Sequence, residues 1–201
     1  MAAIAAAGVG MMVMCSSSVA AAMMMGGDGD DDAAATTTTP KTPVVPTLPS
    51  GQYVKLVHTS LTDVINLAEL EVFAKAGTTN LAAGKTVTSS AFHSAGPLPN
   101  LVDGVITGYN FAHTMNEVAD TGDSMLIDLG SVQEIEKIKI TNRNDCCTKR
   151  AIGIKAVILG ADGTTVIKET AAITTDSSTY TFTFPGTAWV AGPPPTHPHN
   201  N

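Results

Sequence analysis

The chain has 201 residues, 44% hydrophobic but only 4% aromatic, with 11 Lys+Arg against 18 Asp+Glu for a net charge of −7. That length allows one or two domains, and the acidic balance, without a basic stripe interleaved with aromatics, argues against nucleic acid as a partner. No cysteine pair spans a long loop, no Cys/His cluster has zinc spacing, and G-x-S-x-G, H-E-x-x-H and phosphate-binding glycine loops are missing, so nothing in the motifs points to an enzyme.

Residues 1–25 (MAAIAAAGVGMMVMCSSSVAAAMMM) carry no charge. As a helix they would extend roughly 37 Å at ~1.5 Å per residue, enough to cross a bilayer. Ala, Gly and Ser make the segment only mildly hydrophobic and favour close helix packing in lipid. It has no basic n-region, although Val19–Ala22 offers small-residue cleavage sites. The segment is read as an uncleaved membrane anchor, with a cleaved signal or a low-complexity tail as alternatives. An anchor or a signal would put the rest of the chain outside the cytoplasm.

Residues 26–50 form an acidic and Thr/Pro-rich linker. Asp28, Asp30, Asp31 and Asp32 lack the spacing and the final Glu of an EF-hand loop. Thr36–Pro49 (TTTTPKTPVVPTLP) is expected to be an extended, polyproline-II-like spacer.

Strand signals begin at Gly51. Tyr53–Val57 is followed by Leu67–Phe73. Met125, Ile127 and Leu129 alternate with their neighbours, as do Ile138 and Ile140. Ala156–Leu159 turns through Asp162-Gly163 into Thr165–Glu169, and Tyr180, Phe182 and Phe184 alternate with threonines. Short strands punctuated by turn residues, without a long amphipathic helix, predict an all-β antiparallel β-sandwich over residues 51–187. A Pro-rich tail, 188–201, follows, with His197 and His199.

Three stretches carry a family resemblance: NLAAGKTVTSS at 80–90, NLVDGV at 100–105 followed by FAHT at 111–114, and NRNDCCTKR at 142–150. In this order, and with IDLG at 127–130 between them, they resemble the discoidin (coagulation factor 5/8 type C) superfamily and its F-type lectins. The resemblance implies a discoidin-like jelly roll. The QYVKL at 52–56 and the INLAELEV at 65–72 look like the last strands of that family placed first, as in a circular permutation. A sandwich with neighbouring termini tolerates one, and 53–57 is then expected near 180–184. Similar permuted domains behind Met/Ala/Ser-rich leaders look like virion proteins of large algal DNA viruses.

The resemblance also implies two sites. A calcium ion would take carboxylates from Asp103 and Glu69, carbonyls from Asn100 and Val105, and the hydroxyl and carbonyl of Thr114. From the residues alone, Asp103-Gly104 is equally a turn and Glu69 a solvated side chain. A sugar would lie between Arg143 and Arg150, with Asp145 orienting an arginine and a Cys146–Cys147 disulfide presenting an apolar platform. A reduced dithiol is the other reading of that pair. F-type lectins add a His from the preceding loop; His113 is assigned to the calcium-loop segment, so that position falls near Asn116 and Glu117. The expected function is a calcium-dependent carbohydrate-binding module, not an enzyme, displayed on a membrane or virion surface with glycans or glycoproteins as partners. The alternative is an architectural minor capsid protein that uses the same sandwich to contact capsid proteins.

Overall fold

In a computed structural model, residues 47–107, 109–115, 123–186 and 188–196 are described. The apolar leader, most of the linker and Glu117 lie outside the described residues. Among the described residues no helix is long and apolar enough to cross a membrane.

The strands, in chain order, are β1 (Ser50–His58), β2 (Asn66–Ala74), β3 (Thr86–Ser89), β4 (Ala112–His113), β5 (Ser124–Asn142), β6 (Ile154–Leu159), β7 (Val166–Glu169), β8 (Thr179–Thr183) and β9 (Val190–Ala191). Two 3-10 turns, Leu98–Val102 and Thr148–Ala151, interrupt them. Every pairing is antiparallel. One sheet runs β3-β5-β1-β6-β7 and the other β4-β2-β5-β8-β9. The all-β antiparallel sandwich expected from the alternation is the fold that forms. Val54, Leu56, Ile154 and Ile158 from the first sheet and Leu70, Val72, Ile138 and Phe182 from the second are fully buried in its core.

The 19-residue β5 belongs to both sheets. Met125, Ile127 and Leu129 face the core in the first sheet, and Ile135, Ile138 and Ile140 face it in the second. Between them Gly130, at φ 86°, turns the strand without ending it. The two alternating runs in the sequence are therefore one strand, not two.

This crossover also corrects the expected neighbourhood of 53–57. β1 sits between β5 and β6 in the first sheet, while β8 pairs with the far half of β5 in the second. Both strands lean on β5, but on different halves of it. The Pro-rich tail needs correcting too. Val190 and Ala191 extend the second sheet beyond β8, and Trp189 donates Nε1–H to Ala171 O while its ring meets Phe182 edge-on at 5.4 Å. A two-residue strand is too short to show alternation.

Candidate functional site

Leu67 and Leu70 are both fully buried although three residues apart, because the bulge between Leu67 and Glu69 absorbs one residue of β2. This arrangement serves two polar clusters, one built on Glu69 and the other on Asn66.

Glu69 is buried, and its Oε2 accepts from Gly104 N at 3.1 Å. Oε1 is buried without a hydrogen-bond partner. Burial, reinforced by the neighbouring Asp103 and Glu71 carboxylates against the Gly104 hydrogen bond, pushes this carboxyl up to about 7. Glu71, in contrast, is ion-paired with Lys139 at 2.5 Å. In the adjoining loop the Asn110 amide nitrogen donates to Asp103 Oδ1 and Oδ2, each at 3.0 Å, and to Val105 O at 2.9 Å. Three oxygens thus converge on one donor beside a carboxylate whose Oε1 lacks one.

Glu69, Asp103 and Val105 are brought together as the sequence implied, but Thr114 is not. Its hydroxyl accepts from Ile65 N at 2.9 Å and donates to Asp123, and its carbonyl accepts from His113 Nδ1. Thr114 faces Ile65, and Glu69 lies about 13 Å farther along β2 at ~3.3 Å per residue. Asn110, which the sequence reading did not include, is the residue that meets Asp103 and Val105 instead. The Asn100 side chain donates to Phe111 O at 3.3 Å, a bond that leaves its own main-chain carbonyl uninvolved. Among the described residues no three His, Cys, Asp or Glu side chains gather to hold a metal ion. A cation here would need main-chain and amide oxygens in its shell, which calcium accepts.

The second cluster is cationic. Arg143 is buried, and its guanidinium grips Asp145 bidentately, Nε to Oδ1 at 2.7 Å and Nη2 to Oδ2 at 2.5 Å. Those hydrogen bonds hold the Asp145 carboxyl below the usual carboxylate range. The same guanidinium lies 3.8 Å above the centre of the Phe111 ring, a cation–π contact. With its amide oxygen turned toward the arginines, the fully buried Asn66 accepts from Arg143 Nη1 and Arg150 Nη1, each at 3.3 Å. Between the two arginines Cys146 and Cys147 are joined by a disulfide, and Cys147 N-caps the 3-10 turn that carries Arg150 in a left-handed conformation, φ 60°.

His113 belongs to this cluster and not to the acidic one. It pairs with Asn66 across the β2–β4 ladder, and its ring lies 4.9 Å from that of His93. Burial, followed by the positive fields of His93, Arg150 and Arg143, lowers its affinity for a proton, against the Thr114 hydrogen bond. Since Nδ1 must donate to the Thr114 carbonyl, the neutral ring presents Nε2 as an acceptor. His113, assigned above to the calcium-loop segment, thus stands beside the arginines, while Asn116 and Glu117 lie outside the described residues. Its place follows from strand pairing with Asn66, which spacing in the sequence does not reveal.

Residues 100–189 match the family model of the F5/F8 type C, NedA-like galactose-binding domain. The matched span holds Asp103, Asn110, His113, Arg143, Asp145, the disulfide and Arg150. Asn66 and Glu69, which complete the clusters, precede it. No curated protein and no solved structure matches the chain.

Proposed function

We propose that this chain is a calcium-dependent carbohydrate-binding module, displayed on a membrane or virion surface, that takes a sugar against Arg150, Arg143 and His113. The observation that carries the reading is the bridging of both guanidinium groups by Asn66 beside a histidine that offers a lone pair. Fixed donors and one acceptor within a few ångströms suit a neutral polyol, whose hydroxyls both give and receive hydrogen bonds. The half-exposed Cys146–Cys147 pair supplies the less polar surface that a sugar face needs. The match to a galactose-binding domain family supports the same class of ligand.

Calcium fits the acidic cluster because Glu69 has a buried oxygen with no donor and the Asp103 carboxylate and Val105 carbonyl already converge beside it, on the Asn110 NH2 group that an ion would displace. Bound there, the ion would neutralise the two carboxylates and fix the 103–110 loop. Glu69, Asp103 and the Val105 carbonyl are the residues that would hold it, joined by Asn110 with its amide turned to present oxygen. The permuted order fits the chain geometry. Ile135 N donates to Pro49 O and Phe184 N donates to Glu136 O, so the start of β1 and the end of β8 lie at adjacent residues of β5.

The site is shallow, so a single domain binds weakly and avidity comes from many copies. The test is a broad glycan array probed with multivalent domain. Calcium-dependent signal that EDTA removes and Arg150→Ala abolishes is expected. Arg150→Lys does not restore it fully, because an ammonium cannot reproduce the guanidinium fork. Silence across the array in calcium, with the domain folded, would reject the proposal.

A further inference from the structure

The strand end beneath the arginines is tied to both sides of the cationic cluster. His58, the last residue of β1, is 2% exposed. Its Nδ1 accepts from Ser60 N at 3.0 Å, so that nitrogen carries no proton. The neutral ring then has its proton on Nε2, which lies 3.1 Å from the Arg150 carbonyl and donates to it. A single tautomer satisfies both bonds. Arg150 sits in the 3-10 turn Thr148–Ala151, a four-residue element too short to satisfy its own carbonyls.

The other arm starts from the same residue. The His58 main-chain N donates to Asp123 O at 2.9 Å, and the buried Asp123 carboxylate accepts from the Thr114 hydroxyl. Thr114 in turn receives the His113 Nδ1 proton at its carbonyl. Arg150 and His113 are thereby anchored to one point through unbroken hydrogen bonds.

We propose that His58 is a positioning residue of the carbohydrate site, its side chain fixing Arg150 and its main chain, through Asp123 and Thr114, fixing His113. The inference rests on the carbohydrate reading for its functional meaning but not for its structural content. Ser60, Arg150, Asp123 and Gly153, whose absent side chain leaves room for the ring, surround His58. None of them is itself required to touch a ligand except Arg150.

Two substitutions separate positioning from mere packing. Gln can place its amide NH2 near the position of Nε2 and keep the bond to Arg150; Asn is shorter and reaches only the Nδ1 position. His58→Asn is expected to weaken binding to the best array glycan about five- to tenfold, the order of one hydrogen bond. His58→Gln should recover most of that loss even where the two variants melt at the same temperature. Equal affinities at equal stability would overturn the proposal. A second readout does not need a glycan. In nitrogen-labelled protein the Arg150 Nε–H signal should shift in His58→Asn and stay near wild type in His58→Gln, while the His113 ring, held through the retained main-chain bond, and the Gly104 and Asp103 amides stay unchanged in both. If wild type binds no glycan, the carbohydrate reading falls, but these signals still decide whether the His58 side chain positions Arg150. An unchanged Arg150 signal in His58→Asn would refute it.

Discussion

Two clusters three residues apart on β2 are built on opposite rules. Around Asn66 the charges are matched inside the protein: Arg143 has Asp145, Asn66 and the Phe111 face, and Arg150 shares Asn66. Around Glu69 they are not, for one carboxylate oxygen is buried without a donor and Asp103 adds a like charge beside it. A buried group left without a partner costs free energy, whereas one with fixed partners is held ready for a ligand. The cationic cluster is thus internally matched, and the acidic cluster keeps one buried oxygen, Glu69 Oε1, without a partner.

The largest expected effect comes from breaking the matched side. Arg143→Ala removes a nearly buried partner from Asp145 and its packing on Phe111, and should cost about 3 kcal/mol in chemical denaturation, near the lower end for a broken buried pair. The acidic side responds to pH with a defined sign. Glu69 is raised from the usual 4.5 to about 7 in the folded chain. Between those values the native state holds more protons than the unfolded state, so stability falls as pH rises through the window. In calcium-free buffer the loss is on the order of 3 kcal/mol. Glu69→Gln should flatten that slope. Calcium should counteract it and raise the melting temperature above pH 7, an effect missing in Asp103→Ala. A melting curve indifferent to calcium and EDTA would remove the cation from the account. The smallest effect sharpens the contrast: Asn110→Asp adds a charged ligand and should tighten calcium about tenfold by titration, while lowering stability without calcium because a third carboxylate joins Asp103 and Glu69.

Much of this was legible in the sequence, and what was not has a physical cause. Strands with a clean alternation, such as Met125–Leu129 and Tyr180–Phe184, announce themselves. Gly130 reads as a turn although it only bends β5, because a positive φ looks alike in sequence whether the chain reverses or continues. Arg143, Asp145, the cysteine pair and Arg150 are local and were found together. Asn66, His113 and His58 contribute through contacts between distant strands, and no spacing rule reports those. The sequence does not show that Asn110, rather than Thr114, meets Asp103 and Val105, because that contact depends on where the loop 103–110 folds back, which the strand pairing of Ala112 and His113 fixes.

The central claim is that a sugar sits on the matched cluster. It is tested most directly by a chemical-shift titration of the calcium-loaded domain with galactose and fucose. The account predicts saturable shifts confined to Arg150 and Arg143 Nε–H, the His113 ring and the Cys146 and Cys147 amides, abolished in Arg150→Ala. Saturable shifts elsewhere, for instance in the outer groove lined by Lys55, Lys155 and Leu159, or none at those residues, would contradict it.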